Sequence, residues 1–523
     1  MPLRPHLLTL LILLPTIGAF TVLFTPSKRS ARWTTLSFTL VTFALSLLLL
    51  AFYDFTPVSN YAYAPAGTIQ LVQRLNWIPV FHIQYLVGID GLSLPLILLT
   101  TFISILVCIA SWNINHMTRG YLCLFLLLES GILGTFCALD FFLFYMFFEI
   151  SLLPMYFLIG IWGGPRRQYA AIKFFLYTLV GSILLLIVLI GLYLFSKTAV
   201  PGGTFDLVQL AHLARTGQLQ SAGLTPAVAR AFFLCTLVAL LIKLPSIPFH
   251  TWLPDAHVEA PTPMSMILAA VLLKMGGYGL FRVAYPLFPT AARQLWLLVS
   301  IIAVISILYG ALVALAQTDF KRLVAYSSIS NMGFVLLGAA MMTPASINGS
   351  IFMMVSHGIT SALLFFIVGL IYDRAHHRDL PRLGGLASTM PVFTAFSTLA
   401  LFATLGLPGL SGFIGEILVL LGSFSASRPD SLLHASTPAI YSLSILACTG
   451  LLLSAAYCLY ALQRIFLGPP RPELSNLPDT THPAELSVLI PLTVMTLLLG
   501  ILPSLFVFPL TNPTVTALLK LFS

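Results

Sequence analysis

Apolar stretches of about 20 residues recur from one end of this chain to the other, and that recurrence restricts its fold more than any other feature. Each is long enough to cross roughly 30 Å of hydrocarbon as a helix. A helix satisfies its backbone hydrogen bonds internally, which lipid requires. A transmembrane β-barrel would show short alternating segments instead. Composition agrees. Of 523 residues, 59% are hydrophobic and 8% charged, with a mean hydropathy of +1.00, against roughly 25% charged in soluble domains. The chain reads as an all-α polytopic membrane protein.

Fourteen spans are expected, near 3–25, 33–53, 90–112, 120–138, 140–162, 170–196, 230–249, 260–282, 293–315, 322–342, 350–372, 391–424, 440–466 and 486–510. The first 25 residues imitate a signal peptide, with Arg4 before an apolar run. No small-x-small cleavage site precedes "SKRSAR", so they read as a retained first helix. The loops alternate in charge. "SKRSAR", "HMTRG", "GGPRRQ", "TDFKR", "DRAHHRDLPR" and "QRIFLGPPR" fall on one side. The long polar segments near 54–89 and 197–229, "TPASINGS" and "ASRPDSLLHAST" fall on the other. Lysine and arginine favour the first side, which is then cytoplasmic. An even span count puts both termini outside.

The formal charge of +9 is scattered through these short loops rather than gathered on one soluble face, so nucleic acid is not an expected partner. Cys108, Cys123, Cys137, Cys235, Cys448 and Cys458 lie mostly inside apolar runs with no C-x-x-C, as small core residues do. The sequence carries no zinc or iron–sulfur ligand pattern, no Gly-rich dinucleotide loop and no P-loop. Redox or nucleotide chemistry served by this protein is therefore expected on another chain.

Two spans contain breaks. The seventh holds "KLPSIPF" and the twelfth "LGLPGLSGF". Proline removes a backbone donor and strains the preceding turn, so both helices should be interrupted at mid-depth. The breaks lie five spans apart, and an odd offset inverts the second copy. Broken helices at matching places in two halves indicate an inverted-repeat transporter with its path at the midplane.

Five ionisable residues fall near the middle of spans: Glu129, Glu149, Lys243, Lys274 and Glu416. Each costs at least about 2–3 kcal/mol to insert, so such residues face a polar interior and mark pathways. The bland alternative is a set of structural ion pairs that lock helices together. Two of the five sit beside helix breaks, which favours a pathway. Burial disfavours the ammonium form of any lysine, and a nearby carboxylate restores it. A movable Glu–Lys pair is thus a proton switch, and Glu149 is the carboxylate expected to pair with Lys243. His357, inside "IFMMVSHGITSALLFF", reads equally as a satisfied core histidine or a relay. His250 and His257 are expected to flank a cytoplasmic loop and to serve in capping or hydrogen bonding. The loop "DRAHHRDLPR" reads as solvated and in contact with a partner, and His376–His377 alone do not make a metal site.

At these residues the chain resembles a known family. "FFEISLLPMYFLIGIWGG", "KFFLYTLVGS", "KLPSIPFHTWLPDAHVEAPTPMS", "LAAVLLKMGGYGLFR", "AQTDFKRLVAYSSISNMGF" and "GLPGLSGFIGE" are similar to the antiporter-like membrane subunits of respiratory complex I, across about residues 85–470. The resemblance implies about 14 transmembrane helices. Helices 1–3 would fill 1–119, a first five-helix repeat 120–282, an inverted second repeat 293–466, and the last helix 467–523. It implies proton translocation coupled to quinone reduction in an NADH:quinone oxidoreductase. Glu149 and Lys243 resemble the family's coupling pair, Lys274 its central lysine and Glu416 its terminal residue on the broken twelfth helix. Glu129 resembles a glutamate found in only some members. NADH, FMN, iron–sulfur clusters and quinone would belong to other subunits. Partners would be sister antiporter-like subunits on either side, lipid, protons and internal water. The setting would be an energy-transducing membrane, the bacterial inner membrane being the expected one. Many relatives read Ser-x-Ser-His-Met-Gly where this chain has "SISNMG". Asn331 cannot titrate, so His357 or water would have to serve there. Rival readings are a subunit of a multi-chain cation/proton antiporter, a subunit of an energy-converting hydrogenase, and a purely structural scaffold.

Overall fold

The computed structural model describes residues 6–55, 69–428, 431–433 and 437–522. Arg4, the start of the first span and parts of the polar segments near 54–89 and 425–436 lie outside them. Among the described residues twelve helices are long and apolar enough to cross a membrane. They are α2 (Lys28–Phe52), α3 (Ser93–Ala110), α4 (Thr118–Cys137), α5 (Phe141–Trp162), α6 (Arg167–Ala199), α7 (Pro226–Lys243), α9 (Thr262–Leu287), α10 (Trp296–Leu315), α11 (Phe320–Met341), α12 (Pro344–Ala375), α15 (Thr437–Phe466) and α16 (Pro483–Ile501). Shorter apolar helices are α1 (Leu7–Leu23), α13 (Pro391–Leu405) and α14 (Ser411–Ser425). The eight-residue α8 (Trp252–Glu259) follows α7. Every predicted span carries at least one of these helices.

Both expected breaks are present. α7 stops at Lys243 and α8 starts at Trp252, so 244–251 is irregular. α13 ends at Leu405 and α14 begins at Ser411. A third interruption was not expected. α5 is broken at Ser151, because Pro154 has no N–H to offer the carbonyl four residues back, that of Ile150.

Two polar segments read as loops hold regular structure. Gln70–Ile78 (β1) and Ile83–Ile89 (β2) pair antiparallel, with His82 in the left-handed conformation at the turn. Segment 197–229 carries the short helices Leu207–Arg215 and Gln218–Ser221. The hairpin is pinned by Leu139 N–H donating to the Leu86 carbonyl at 2.9 Å.

A repeated lock appears at two helix starts. Asp140 caps α5 by accepting from the N–H groups of Phe142 and Leu143, and it bridges to Asp206. Asp319 caps α11 by accepting from Arg322 N–H, and it bridges to Asp379. In the first lock Phe141 N–H donates to Phe205 O and Leu207 N–H to Leu139 O, at 2.7 and 2.8 Å. In the second, Phe320 N–H donates to Arg378 O and Leu380 N–H to Thr318 O, at 3.0 and 2.7 Å. The sequences "LDF…FDL" and "TDF…RDL" make the same connection, each between the start of one helix and the loop after the next.

The centre of the molecule is α9, α11 and α12, buried along nearly all of their apolar windows. α2, α6, α15 and α16 lie outside and show long apolar faces, such as Ile172, Leu176, Val180, Ile183 and Ile187 on α6. Water is the wrong solvent for such faces; lipid or neighbouring apolar helices are the right one.

Candidate functional site: ionisable groups inside the helix bundle

Glu149 lies on the first half of α5, two residues before the Ser151 break, and is half-buried. Its carboxylate accepts a short hydrogen bond from the Ser182 hydroxyl of α6. Lys243 is the last residue of α7 and is 2% exposed. Its ammonium has no hydrogen-bond partner among the described residues. It lies over the Phe148 ring, 4.4 Å from the centroid, a cation–π contact. Glu149 and Lys243 form no ion pair within 4.0 Å, although Glu149 is next in sequence to Phe148. The expected pair is open, with serine holding the carboxylate and an aromatic face holding the cation.

Lys274, on α9, is fully buried. It donates to the Ala269 carbonyl at 2.5 Å and contacts His357 Nδ1 of α12 at 2.7 Å. Ala269 lies in a π-helical segment, Leu268–Leu272, and a second follows at Leu280–Ala284. π-Segments widen the helix and frequently sit at functional sites. His357, for which two readings were open, is thus bonded to Lys274.

Glu416, on α14, is 3% exposed and has no ion-pair partner within 4.0 Å among the described residues. Its carboxylate occupies the space over Gly406, where a Cβ would lie 2.1 Å from Oε2. Gly406 has φ +82°, which suits glycine. Glu129, on α4, is fully buried with both oxygens unpartnered among the described residues.

Lys274, His357, Glu416 and Glu129 each sit close in sequence to a glycine at a tight helix contact. A Cβ on Gly276 would lie 2.6 Å from the Leu244 nitrogen, on Gly358 2.9 Å from the Ala270 carbonyl, and on Gly415 3.1 Å from the Met353 Cα. One on Gly131 would meet the Ser151 nitrogen at 3.1 Å. Small residues let backbones approach in membrane bundles. Here they press α9 against the end of α7, α12 against α9, α14 against α12, and α4 against the α5 break.

The reading of His250 and His257 needs correction. Residues 252–259 form helix α8 rather than a loop, and both histidines are buried, at 6% and 0% exposure. His257 stacks on Phe365 at 4.4 Å, and neither ring nitrogen has a hydrogen-bond partner among the described residues. His250 packs edge-on against Tyr309 and Tyr326. α8 itself is fixed to α6 through Lys173–Asp255 at 2.7 Å and Tyr177–Thr251 at 2.7 Å. Trp252 Nε1 donates to the Ile242 carbonyl at 2.9 Å and so fastens α8 to the end of α7.

Three residues emerge that sequence reading missed. Lys321, placed in the basic loop "TDFKR", is 3% exposed and donates to the Ala260 carbonyl at 2.6 Å. It lines a cavity of about 410 Å³ with Glu259, Asp373 and Arg378. Asp90 and Arg282 form a buried ion pair at 2.6 Å, and Arg282 also donates to the Tyr278 hydroxyl at 3.0 Å. Among the described residues no three or more of His, Cys, Asp and Glu gather as metal ligands would.

The family model described as "NADH:quinone oxidoreductase/Mrp antiporter, TM" matches residues 138–459, and one described as "NADH-ubiquinone oxidoreductase chain 4, amino terminus" matches 64–136. The chain belongs to the NADH:quinone oxidoreductase/Mrp antiporter transmembrane family. It is 41% identical to NADH-quinone oxidoreductase subunit M of Rhodobacter capsulatus, over 98% of this chain and 96% of that one. It superimposes on a chain of respiratory complex I from Thermus thermophilus with TM-score 0.84 and 31% identity, covering 99% and 100% of the two chains. It shares its fold with a chain of the Mrp complex of a Dietzia species, with TM-score 0.79 and 24% identity, covering 98% of this chain and 52% of that one.

Proposed function

We propose that this chain is a proton-translocating membrane-arm subunit of a complex I-type NADH:quinone oxidoreductase. The observation that carries the reading is the Lys274–His357 contact. It joins α9, in the first proposed repeat (120–282), to α12, in the second (293–466). A charged group on each side, Lys243 and Glu416, sits at a broken helix. Near-full-length similarity to subunit M relatives supports the complex I assignment.

In this reading Glu149 and Lys243 receive the coupling signal. When Glu149 leaves Ser182 and approaches Lys243, the ammonium is stabilised; when it withdraws, Lys243 sheds its proton towards Lys274. Lys274 donates an Nζ proton to His357 Nδ1. The imidazole then releases its Nε2 proton onward, and the ring resets through its other tautomer. His357 thereby serves where Asn331 cannot. Glu416 is the terminal site. Glu129, His250 and His257 line the route. The Lys321 cavity lies on the basic-loop side, which the positive-inside rule makes cytoplasmic, with both termini on the outer face of a bacterial inner membrane. Redox cofactors and quinone belong to partner subunits, and sister antiporter-like subunits flank the chain.

The test is Lys243→Ala in the assembled complex. Proton pumping into vesicles should be largely lost, assembly should persist because a buried charge has been removed, and quinone reduction in detergent should fall less. Unchanged pumping at normal complex levels would make Lys243 structural.

A further inference from the structure

The C-terminal end of α15 carries a groove that the proton path does not use. It has a volume of about 680 Å³ and is lined by Tyr460, Gln463, Arg464, Leu467 and Arg471, with Leu383–Gly384 on its far wall. Neither Arg464 nor Arg471 has a carboxylate within 4.0 Å among the described residues. Arg464 rests over the Tyr460 ring, 5.4 Å from its centroid, and Arg471 Nη2 donates to the Pro381 carbonyl at 2.6 Å. The carboxylate nearby, Glu473, is engaged by Arg382 at 3.7 Å.

The groove is built from two loops in backbone contact. Gly385 has φ +70°, and a Cβ there would meet the Pro470 nitrogen at 2.4 Å. Gly385 N–H donates to the Leu467 carbonyl at 3.2 Å. That bond occupies one of the carbonyls that α15 leaves at its C-terminus and that would otherwise repel an anion. The exposed face of α15 is apolar below the groove, with Leu452 and Leu459 at 73% and 49% exposure. Two uncompensated guanidinium groups thus stand at the membrane-interface end of a helix face that is open to hydrocarbon.

We propose that this groove binds an anionic glycerophospholipid, its phosphodiester held by Arg464 and Arg471 and an acyl chain lying along Leu459 and Leu452. Arginine forks suit phosphate oxygens, and basic pockets at the cytoplasmic ends of transmembrane helices suit anionic headgroups. The apolar stripe argues for a lipid over a free anion.

The test uses the intact purified complex, delipidated in detergent. It is titrated with phosphatidylglycerol, phosphatidylcholine or inorganic phosphate, and retained lipid is counted by mass spectrometry. The wild type should hold one tight phosphatidylglycerol that R464Q/R471Q holds roughly 10- to 30-fold more weakly, the loss expected for two arginines at an anionic surface. Phosphatidylcholine retention should not change, and Arg471→Lys should lose less binding than Arg471→Gln because it keeps the charge but not the fork. If the double variant fails to assemble, R464Q and R471Q singly should each weaken phosphatidylglycerol several-fold. Equal phosphatidylglycerol retention in variant and wild type would overturn the proposal. So would displacement of the tight lipid by millimolar inorganic phosphate, which would mark a free-anion site.

Discussion

The two helix breaks solve one problem in different ways. After Lys243 the chain runs irregularly through 244–251, and side chains hold it: Trp252 bonds Ile242, and Ile247 N–H bonds the Ser306 hydroxyl at 3.0 Å. After Leu405 the irregular stretch is only 406–410, and backbone contact holds it. A Cβ on Gly412 would lie 2.0 Å from the Ala403 carbonyl, and one on Gly500 of α16 would lie 2.4 Å from the Gly409 carbonyl. The charges differ too. Lys243 is the last residue of a half-helix, where the free carbonyl ends favour a cation. Glu416 lies just beyond the first turn of its half-helix, on the side of the free N–H ends, where an anion is favoured. At these two breaks the sign of the buried charge follows the polarity of the half-helix that carries it. Both groups stand without a carboxylate or ammonium partner within 4.0 Å among the described residues, whereas Asp90 and Arg282 hold each other at 2.6 Å.

The largest expected effect falls on the glycine-built break. Gly406→Ala forces a left-handed alanine, at about 1–2 kcal/mol, and its methyl group must also displace the buried Glu416 carboxylate, whose Oε2 would lie 2.1 Å from the new Cβ. Gly409→Ala has a similar φ of +90° but open space around its Cβ, so it should incur only the backbone cost. Thermal stability of the purified complex should therefore fall further for G406A than for G409A. Equal losses would mean that Glu416 does not depend on this close approach.

A smaller effect tests the junction between the breaks. His357→Gln keeps a hydrogen-bond acceptor for Lys274 but removes a titratable ring. Pumping per assembled complex should fall several-fold without loss of assembly, since water bridging the gap would be slower than imidazole. Full pumping in H357Q would return His357 to a packing role and leave Lys274 to transfer directly to water.

Much of this was legible in sequence because membranes make polar residues conspicuous. Prolines marked both breaks, and Glu149, Lys243, Lys274 and Glu416 stood out within apolar runs. What stayed hidden depended on side-chain reach and long-range packing. Lys321 sits only two residues after a capping aspartate, so it read as loop, yet the first turn of α11 is already buried. Asp90 and Arg282 are far apart in sequence and lie at span ends, where solvent was the expected partner. The hairpin at 70–89 was masked because its residues mix apolar and polar character in a segment assigned to a loop. The opposite signal was available but short: "DF…DL" occurs at both aspartate locks, and only the matching hydrogen bonds give it meaning.

The central claim is that the buried charges titrate rather than merely hold helices together, and Glu416 tests it most directly. The measurement is proton pumping in vesicles for Glu416→Gln, Glu416→Ala and Glu416→Lys, each normalised to assembled complex. A terminal proton site needs a titratable group at that depth, so Gln and Ala should lose most pumping and Lys should keep a measurable share. A structural carboxylate would give the reverse order, with nearly isosteric Gln mild and the longer, charge-reversed Lys worst. Pumping by E416Q well above that of E416K would contradict the account and remove the exit from the proposed path.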